Sequence, residues 1–293
     1  MVYWRPEMRP CPVCGAADHR RLGRRGGTAH HLGSGVESEV VRCLRCHGVY
    51  PRPFLLPSGN PYEGLSPGEY FRGHDPQSKK RAGASLARRA HGFLGRKGRL
   101  LEIGCGRGEL LRGAREEGWT VAGVEMTAWA TPEPGLPIEI AALADARSLE
   151  RHYDVIVLAA ILEHVYEPAG ALRRVRDALA PGGLVYIDVP NECSLWARAG
   201  NAYMRARGRD WAVNLSPTFP PFHVVGFCPR SLRYLLAETG YTERQLELYS
   251  LSNRFVDRPG LLGRLERAGS AAFLTLGQAF GMGAGMICWA TRR

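Results

Sequence analysis

The sequence has no apolar leader near its start, no unbroken hydrophobic run of membrane-spanning length and no internal repeat. Residues 1–9 carry charges and prolines where a secretory signal would need an apolar core, so we expect a cytoplasmic protein. The most apolar stretch, 271–290, is interrupted by glycines and by Gln278. We predict a short helix followed by a buried edge strand there, and no membrane partner.

Lysine is almost absent, since only three of the 39 lysine and arginine side chains are lysines (Lys79, Lys80 and Lys97). The formal net charge is +11, and residues 1–99 hold 18 cationic against 7 anionic side chains, while residues 100–293 hold 21 of each. The excess therefore lies in the first third. Such a region can attract nucleic acid, acidic lipid or phosphorylated substrates. An arginine bias also arises from genomic base composition, so charge alone leaves the partner open.

Four of the eight cysteines form two C-x-x-C units, Cys11-Pro-Val-Cys14 and Cys43-Leu-Arg-Cys46. This spacing is typical of a tetrahedral thiolate zinc site, in which each unit supplies two ligands from one tight turn. Two disulfides are the alternative, and they would require an oxidising compartment. His47 is a conceivable substitute ligand. The other cysteines, at positions 105, 193, 228 and 288, are predicted as small buried side chains.

A chain of 293 residues can hold one large α/β domain and a small accessory module. The order of apolar runs along the chain predicts these two units. Residues 1–53 are predicted as a zinc-ribbon-like module and 54–98 as a connector with aromatic residues and a leading helix over 77–94. From residue 99 onward, strands and helices alternate. Strands are predicted at 100–103, 121–125, 138–141, 153–158, 183–189, from 241, and at 286–291; helices are predicted at 109–117, 169–179 and 231–238. This alternation predicts a doubly wound, Rossmann-like, seven-stranded, mostly parallel sheet.

A glycine-rich turn follows the first strand of this domain, with Gly104, Gly106 and Gly108 spaced two apart after Glu102. Glycines let the backbone turn sharply and approach a ligand at the carboxyl end of a strand. A dinucleotide fingerprint would place its third glycine where Glu109 stands, so bound pyrophosphate is disfavoured. The next strand ends at Glu125, which could accept hydrogen bonds from both hydroxyls of a ribose.

Further motifs follow in a fixed order: Asp145-Ala146, Tyr153-Asp-Val-Ile-Val157, Leu162-Glu-His-Val165 with Pro168, and Leu179-Ala-Pro-Gly-Gly183. With the glycine turn and Glu125, they make residues 100–191 resemble a class I S-adenosylmethionine-dependent methyltransferase. The motifs Val189-Pro-Asn191, Pro221-Phe-His223 and Phe227-Cys-Pro-Arg-Ser231 resemble the branch that methylates small molecules such as sugars, quinone precursors and secondary metabolites. Some sugar methyltransferases of this family also carry an N-terminal four-cysteine zinc module.

The resemblance implies a cofactor site and its residues. Gly104, Gly106 and Gly108 would line the methionine part of S-adenosylmethionine, and Glu102 would orient its amino group. Glu125 would hold the ribose and Asp145 the adenine. The remaining implied neighbours of the cofactor are Cys105, Met126 and Ala146. Residues 126–137 depart from the family, since prolines stand where a helix is common.

Residues 99–293 thus form the implied methyltransferase domain, with 192–222 as an irregular lid over the substrate. Two histidines could act as a base if the acceptor must lose a proton. His223 closes the lid segment and is the first candidate, whereas His164 follows the fourth strand and is the second.

Three functions remain open at this point. The first is methylation of a small molecule, a sugar or another hydroxylated metabolite. The second is methylation of RNA gripped by the zinc module and the basic first third, and the third is a non-catalytic module whose zinc ribbon recruits a partner. Salt-dependent RNA binding would favour the second, and failure to bind S-adenosylmethionine would favour the third.

Overall fold

The computed structural model describes residues 3–29, 35–62, 65–71, 74–129, 135–250 and 260–293. The strands are β1 (Trp4–Glu7), β2 (His19–Gly26), β3 (Glu37–Cys43), β4 (Val49–Arg52), β5 (Phe54–Pro57), β6 (Arg99–Ile103), β7 (Thr120–Glu125), β8 (Ile138–Ile140), β9 (Tyr153–Ala159), β10 (Leu179–Pro190), β11 (Tyr241–Tyr249) and β12 (Gly285–Arg292). The α-helices are α1 (Pro67–Tyr70), α2 (Pro76–Leu94), α3 (Glu109–Glu116), α4 (Pro168–Asp177), α5 (Leu195–Ala206), α6 (Pro229–Glu238) and α7 (Gly260–Ala279).

Seven strands form one sheet in the order β11-β12-β10-β9-β6-β7-β8. The five strands from β6 to β10 run parallel, and β12 lies antiparallel to both β10 and β11. All of β9 except its last residue is buried, as expected of a parallel strand covered on both faces. The predicted seven-stranded, mostly parallel sheet is confirmed.

Helices α2 and α3 approach each other closely because each has a glycine at the contact. A Cβ at Gly83 would lie 2.1 Å from the Leu110 carbonyl oxygen, and one at Gly113 would lie 2.0 Å from that of Lys80. Only glycine allows this approach. Helix α2 begins after Asp75, whose side chain accepts from the Gln77 N–H, and ends at Gly95 in the left-handed conformation. The helix that follows the glycine turn, α3, is therefore packed tightly against α2.

Three predictions for the second half of the chain are wrong. The segment 192–222 is not irregular throughout, because α5 occupies its first half, with Ser194 as its N-cap. Strand β12 is not at an edge, since it pairs with β10 on one side and β11 on the other. Helix α7, which precedes it, is 20 residues long rather than short. Among the described residues, no helix is long and apolar enough to cross a membrane.

The N-terminal residues form a three-stranded sheet, β2-β3-β4, and a two-stranded ladder of β1 with β5. This ladder joins the predicted module to the predicted connector. The small sheet packs directly on the larger domain: Val49 and Gly226 exchange two backbone hydrogen bonds of 2.9 and 2.7 Å. Phe54 packs edge-on against Tyr166. Phe54 also belongs to the same buried core as residues of the seven-stranded sheet, and Tyr166 packs against that core.

Candidate active site

A cleft of about 290 Å³ opens at the carboxyl ends of β6, β7 and β9. Strand order reverses between β6 and β9, which is where open α/β sheets bind their ligands. The lining residues come from the ends of these strands and the loops that follow them, from the loop after β8, from the segment before α2 and from the first turn of α2. They are Tyr62, Tyr70, Phe71, His74, Lys79, Ile103, Gly104, Gly106, Val124, Glu125, Met126, Trp129, Ala141, Ala142, Leu143, Ala159, Ala160, Ile161, His164 and Val165.

The glycine turn forms the floor of this cleft. Gly104 has a φ of +69°, and a Cβ there would lie 2.0 Å from the Cδ1 atom of Ile161. Gly106 has a φ of +54°, and its N–H donates to Glu125 Oε2 over 2.9 Å. Gly108, with a φ of +78°, is the N-cap of α3. Gly104 and Gly106 line the cleft, whereas Gly108 lies behind it.

Glu125 ends β7 with its carboxylate in the cleft. Burial raises its pKa, while hydrogen bonds from the backbone of Gly106, Thr127 and Met126 oppose that rise. The Thr127 N–H donates to Oε1 over 3.1 Å. Each oxygen keeps a further lone pair for a ligand hydroxyl.

Glu102 lies fully inside the protein behind the cleft. Its Oε2 atom has no hydrogen-bond partner among the described residues. Burial raises its pKa well above the ordinary value, and the Lys79 ammonium acts against this shift. Lys79 lines the cleft, with its ammonium 5.6 Å from the centre of the Phe71 ring.

The other predicted cofactor residues divide between the cleft and its surroundings. Met126 lines the cleft and is exposed. Cys105 is buried behind the glycine turn, and Ala146 lies in the hydrophobic core. Asp145 is exposed and outside the lining, although Ala141, Ala142 and Leu143 of the same loop line the cleft.

At the other end of the cleft, two histidines lie with ring centroids 4.8 Å apart. His164 lines the cleft, and its Nδ1 lies 2.9 Å from the Tyr62 hydroxyl. That hydroxyl donates to the Pro221 carbonyl oxygen, also over 2.9 Å. His223 packs behind His164, with Nε2 3.8 Å from Glu163 Oε1. The structure therefore brings both predicted histidines together, but only His164 lines the cleft.

Burial sets the charge of this group. It lowers the pKa of His164 to about 4, although nearby carbonyls of Phe222, Pro221 and Ala160 favour the protonated form. It also lowers the pKa of His223 well below the ordinary value. Burial raises the pKa of Glu163 to about 8, and neither oxygen of this carboxyl has a hydrogen-bond partner among the described residues. All three side chains are therefore neutral at pH 7.

A family model for a methyltransferase domain matches residues 74–246, more than half of the chain. The chain belongs to this methyltransferase family. It is an S-adenosylmethionine-dependent methyltransferase. The ubiquinone biosynthesis O-methyltransferase of Cronobacter sakazakii is 28% identical over 193 residues, covering 60% of this chain and 75% of the relative. That of Escherichia coli O7:K1 is 29% identical over 190 residues, covering 60% of this chain and 76% of the relative.

Solved structures share the fold of this methyltransferase. A SAM-dependent methyltransferase from Archaeoglobus fulgidus superposes with a TM-score of 0.51 at 19% identity, covering 77% of this chain and 97% of that one. The plantazolicin methyltransferase BpumL, solved with SAH, gives a TM-score of 0.50 at 13% identity over 76% of this chain and 87% of that one.

The methyltransferase also has a cluster of four cysteines at its N-terminal end. The Sγ atoms of Cys11, Cys14, Cys43 and Cys46 all lie within 4.8 Å of one another. Those of Cys11 and Cys46 are 3.5 Å apart, and those of Cys14 and Cys43 are 3.4 Å apart. None of them is in a disulfide. His47 is outside the cluster, with Nε2 3.4 Å from an Arg230 nitrogen.

Sequence reasoning missed the aromatic wall of the cleft. Tyr70 stacks on Trp129 with ring centroids 4.6 Å apart, and Tyr62 meets both rings edge-on at 5.6 and 6.1 Å. Phe71 contacts Trp129 at 5.2 Å. The available signal was the set of aromatic residues in the proline-rich connector, but nothing local identified the surface on which they pack. In the departing segment 126–137, Pro132 and Pro134 lie outside the described residues.

Proposed function

We propose that the chain transfers a methyl group from S-adenosylmethionine to a hydroxyl group of a small molecule, a sugar or another hydroxylated metabolite. One observation carries this proposal: the cleft has a ribose-type acid at one end, a neutral histidine at the other, and an aromatic wall beside them. Its volume of about 290 Å³ lies near the lower end for small-molecule sites. Two relatives are named as O-methyltransferases of ubiquinone biosynthesis, which agrees with a hydroxyl acceptor.

The residues present fit the cofactor. Gly104 and Gly106 leave the floor free of Cβ atoms, and Glu125 would accept hydrogen bonds from the ribose hydroxyls. The unpartnered Oε2 of Glu102 suits a role in orienting the amino group of the methionine part. Cys105 and Gly108 would support the glycine turn from behind, and Ala146 would support the loop after β8. Met126 and Asp145 would lie near the adenine. When bound, the cofactor supplies a methyl group on a positively charged sulfur.

His164 is our first candidate for the general base, with His223 as the second. The Pro221 carbonyl can only accept, so the Tyr62 hydroxyl donates to it and receives a hydrogen bond from His164 Nδ1. This arrangement leaves Nε2 of the neutral ring able to take a proton. His164 would accept there the proton that the acceptor hydroxyl loses. The aromatic wall would exclude water and hold the acceptor in line.

We also propose that the four N-terminal cysteines hold a structural zinc ion. Tetrahedral zinc with Zn–S bonds of about 2.3 Å requires sulfur atoms roughly 3.8 Å apart, and the observed separations of 3.4 and 3.5 Å are close to that. Cys11, Cys43 and Cys46 are buried, which suits a closed structural site rather than a catalytic one.

The acceptor class can be tested by measuring S-adenosylhomocysteine formation with two panels. One panel holds sugars, nucleotide-linked sugars, catechols and polyprenyl-type phenols, and the other holds total cellular RNA. Turnover of a compound from the first panel that His164→Ala abolishes would support the proposal. Methylation of RNA alone would overturn it.

A further inference from the structure

A second cavity, of about 440 Å³, lies between the small N-terminal sheet and helix α5. It shares no lining residue with the cofactor cleft. Arg20 of β2 and Arg42 of β3 line one side, and Arg198 and Arg205 of α5 line the other. The remaining lining residues are Leu22, Cys43, Leu44, His47, Cys193 and Asn201. We refer to the space lined by these four arginines as the arginine cavity.

Two of these arginines stand directly opposite each other. Arg20 and Arg42 are register partners in the antiparallel pair β2–β3. Like charges in this position repel and destabilise a sheet. Arg42 also has a buried Nε atom with no hydrogen-bond partner among the described residues. A bound anion beside Arg20 and Arg42 would relieve the repulsion between their charges and could accept a hydrogen bond from Arg42 Nε.

Helix α5, which faces the two strands across the cavity, presents two arginines on the face that lines the cavity. Arg198, Asn201 and Arg205 follow the spacing that places side chains on one face of a helix, and all three line the cavity. Arg198 Nε donates to the Cys193 carbonyl over 3.0 Å. No described aspartate or glutamate lines the cavity, and no ion pair is found for any of its four arginines in the described chain.

A neighbouring cavity of about 460 Å³ continues the same surface. It shares His47, Cys193 and Arg198 with the arginine cavity, and it adds Arg230 and Arg233. Arg233 is paired with Glu243, over 2.8 Å. Arg230 contacts His47 instead. Like the arginine cavity, this neighbouring cavity has no acidic lining residue among those described.

The proposed zinc cluster does not account for all of this charge. Four thiolates and one divalent ion carry a net charge of about −2, and the buried Glu192, which interacts electrostatically with Arg42 and accepts from it through its backbone carbonyl over 3.4 Å, adds at most one more negative charge. Together they offset at most three of the five arginines that line the two cavities outside an ion pair. Cys43 is fully buried at the edge of the arginine cavity. The remaining positive charge calls for an external anion.

We propose that the arginine cavity binds a phosphate-bearing small molecule. Arginine matches phosphate because its planar fork can donate two parallel hydrogen bonds. A walled cavity with charge converging from two sides suits a compact group such as pyrophosphate, whereas a nucleic acid backbone would need an open stripe of cations. The proposal does not depend on the methyl acceptor, since it concerns a separate cavity with its own ligand.

The test is calorimetric titration of the zinc-loaded full chain with inorganic pyrophosphate and, in a second arm, a nucleoside diphosphate. Arg198→Gln with Arg205→Gln removes two exposed charges of the cavity. Arg173→Gln with Arg244→Gln is the matched control, because both residues are exposed and lie outside the lining of both cavities. We expect one-to-one binding that the first pair weakens at least about tenfold and the control pair leaves unchanged.

Three results would overturn the proposal. The first is no saturable binding of either probe, which would mean that the arginines only balance the zinc thiolates. The second is an equal loss in both double variants, which would indicate diffuse attraction by net charge. The third is tight, salt-sensitive binding of single-stranded RNA without binding of pyrophosphate. Retained binding of S-adenosylmethionine in every variant would show that the fold is intact.

Discussion

At the scale of single residues, burial rather than sequence context decides the chemistry beside the cleft. His164 and His223 are kept neutral, and Glu163 keeps its proton at pH 7. The sequence identified His223 from its place at the end of the predicted lid segment and His164 from its place after the fourth strand. It could not show which ring lines the cleft, because that depends on the contact of His164 with Tyr62, far away in the chain.

The two histidines should differ in their effect on turnover. His164→Ala should lower kcat by about a hundredfold or more, within the usual range for a general base, because it removes the proton acceptor in the cleft. His223→Ala should lower kcat less. Both should leave the Kd for S-adenosylmethionine within about threefold of wild type. Single-turnover kinetics and calorimetry check this, and a larger loss of kcat for His223→Ala would make His223 the base.

The same assignment predicts a pH profile. Because the pKa of His164 is lowered to about 4, its neutral form persists well below the ordinary histidine pKa of about 6.5. The kcat should therefore stay level as pH falls from 8 to about 5.5 and decline only as pH approaches about 4. A decline in kcat centred near pH 6.5 would contradict a buried histidine base.

The raised pKa of Glu163 should make the stability of the folded protein fall as pH rises from neutral to alkaline. Its pKa is raised to about 8 in the folded protein, against an ordinary value near 4.3. A raised carboxyl pKa contributes stability that is fully present below the unfolded pKa and is lost as pH rises through the folded one. The wild-type melting temperature should thus fall between pH 6 and 9. His164 and His223 act in the opposite direction below about pH 7, because a lowered histidine pKa makes stability rise with pH until the unfolded pKa of about 6.5 is passed; the fall caused by Glu163 is therefore clearest above pH 7.

Glu163→Gln tests that contribution because its amide cannot ionise. The melting temperature of the variant, measured relative to wild type, should rise by about 3 °C or more between pH 6 and 9, since 1 kcal/mol corresponds to roughly 2–4 °C in a domain of this size. Glu238→Gln, at an exposed position on α6, is the control and should show no such trend. Parallel curves for wild type and Glu163→Gln would refute a neutral Glu163.

At the scale of elements, local pattern predicted the first half of the sheet well. The prediction of strand, glycine turn and helix at 100–117 matches β6 and α3 closely, because buried strand runs and the glycine positions are local signals. Helix α5 was missed because Gly200 and scattered aromatic residues obscure its periodicity. Strand β12 was predicted at an edge because its pairing with β10 and β11 depends on contacts between residues at least 36 positions apart in the chain.

The zinc cluster should support elements beyond its own module. Val49 and Gly226 pair through their backbones, and the Cys228 thiol lies 3.8 Å from the Cys46 carbonyl oxygen. Removing the ion should therefore increase hydrogen exchange in residues 8–53 and also in 224–228, while β6 to β9 keep their protection. Mass spectrometry of the zinc-loaded and chelator-treated protein checks this.

Two serine variants separate the zinc ligands from other cysteines. Cys14→Ser should lower the zinc content from one ion per chain to a small fraction, whereas Cys193→Ser, which changes a buried thiol outside the cluster, should retain the ion. Elemental analysis gives the result. Full zinc content in Cys14→Ser, or no zinc in the reduced wild-type protein, would rule out the proposed ligand set.

At the scale of the whole molecule, the N-terminal part is built into the methyltransferase rather than appended to it. Strand β5 of the predicted connector pairs with β1, and the Tyr166 hydroxyl donates to the Leu55 carbonyl over 2.8 Å. The connector then supplies Tyr62, Tyr70 and Phe71 to the cofactor cleft. The sequence predicted the two units and their order. It could not predict that the connector between them would form a wall of the cleft, since no local pattern encodes that contact.

The central claim is that this cleft binds S-adenosylmethionine, with Glu125 holding the ribose. Calorimetric titration of the wild type and of Glu125→Ala with S-adenosylmethionine tests it most directly, with Glu238→Ala as a control at an exposed site. We predict one-to-one binding that Glu125→Ala weakens by about 2 to 3 kcal/mol, roughly 30- to 150-fold in Kd, and that Glu238→Ala leaves unchanged. An unchanged Kd in Glu125→Ala, or no binding by the wild type, would contradict it.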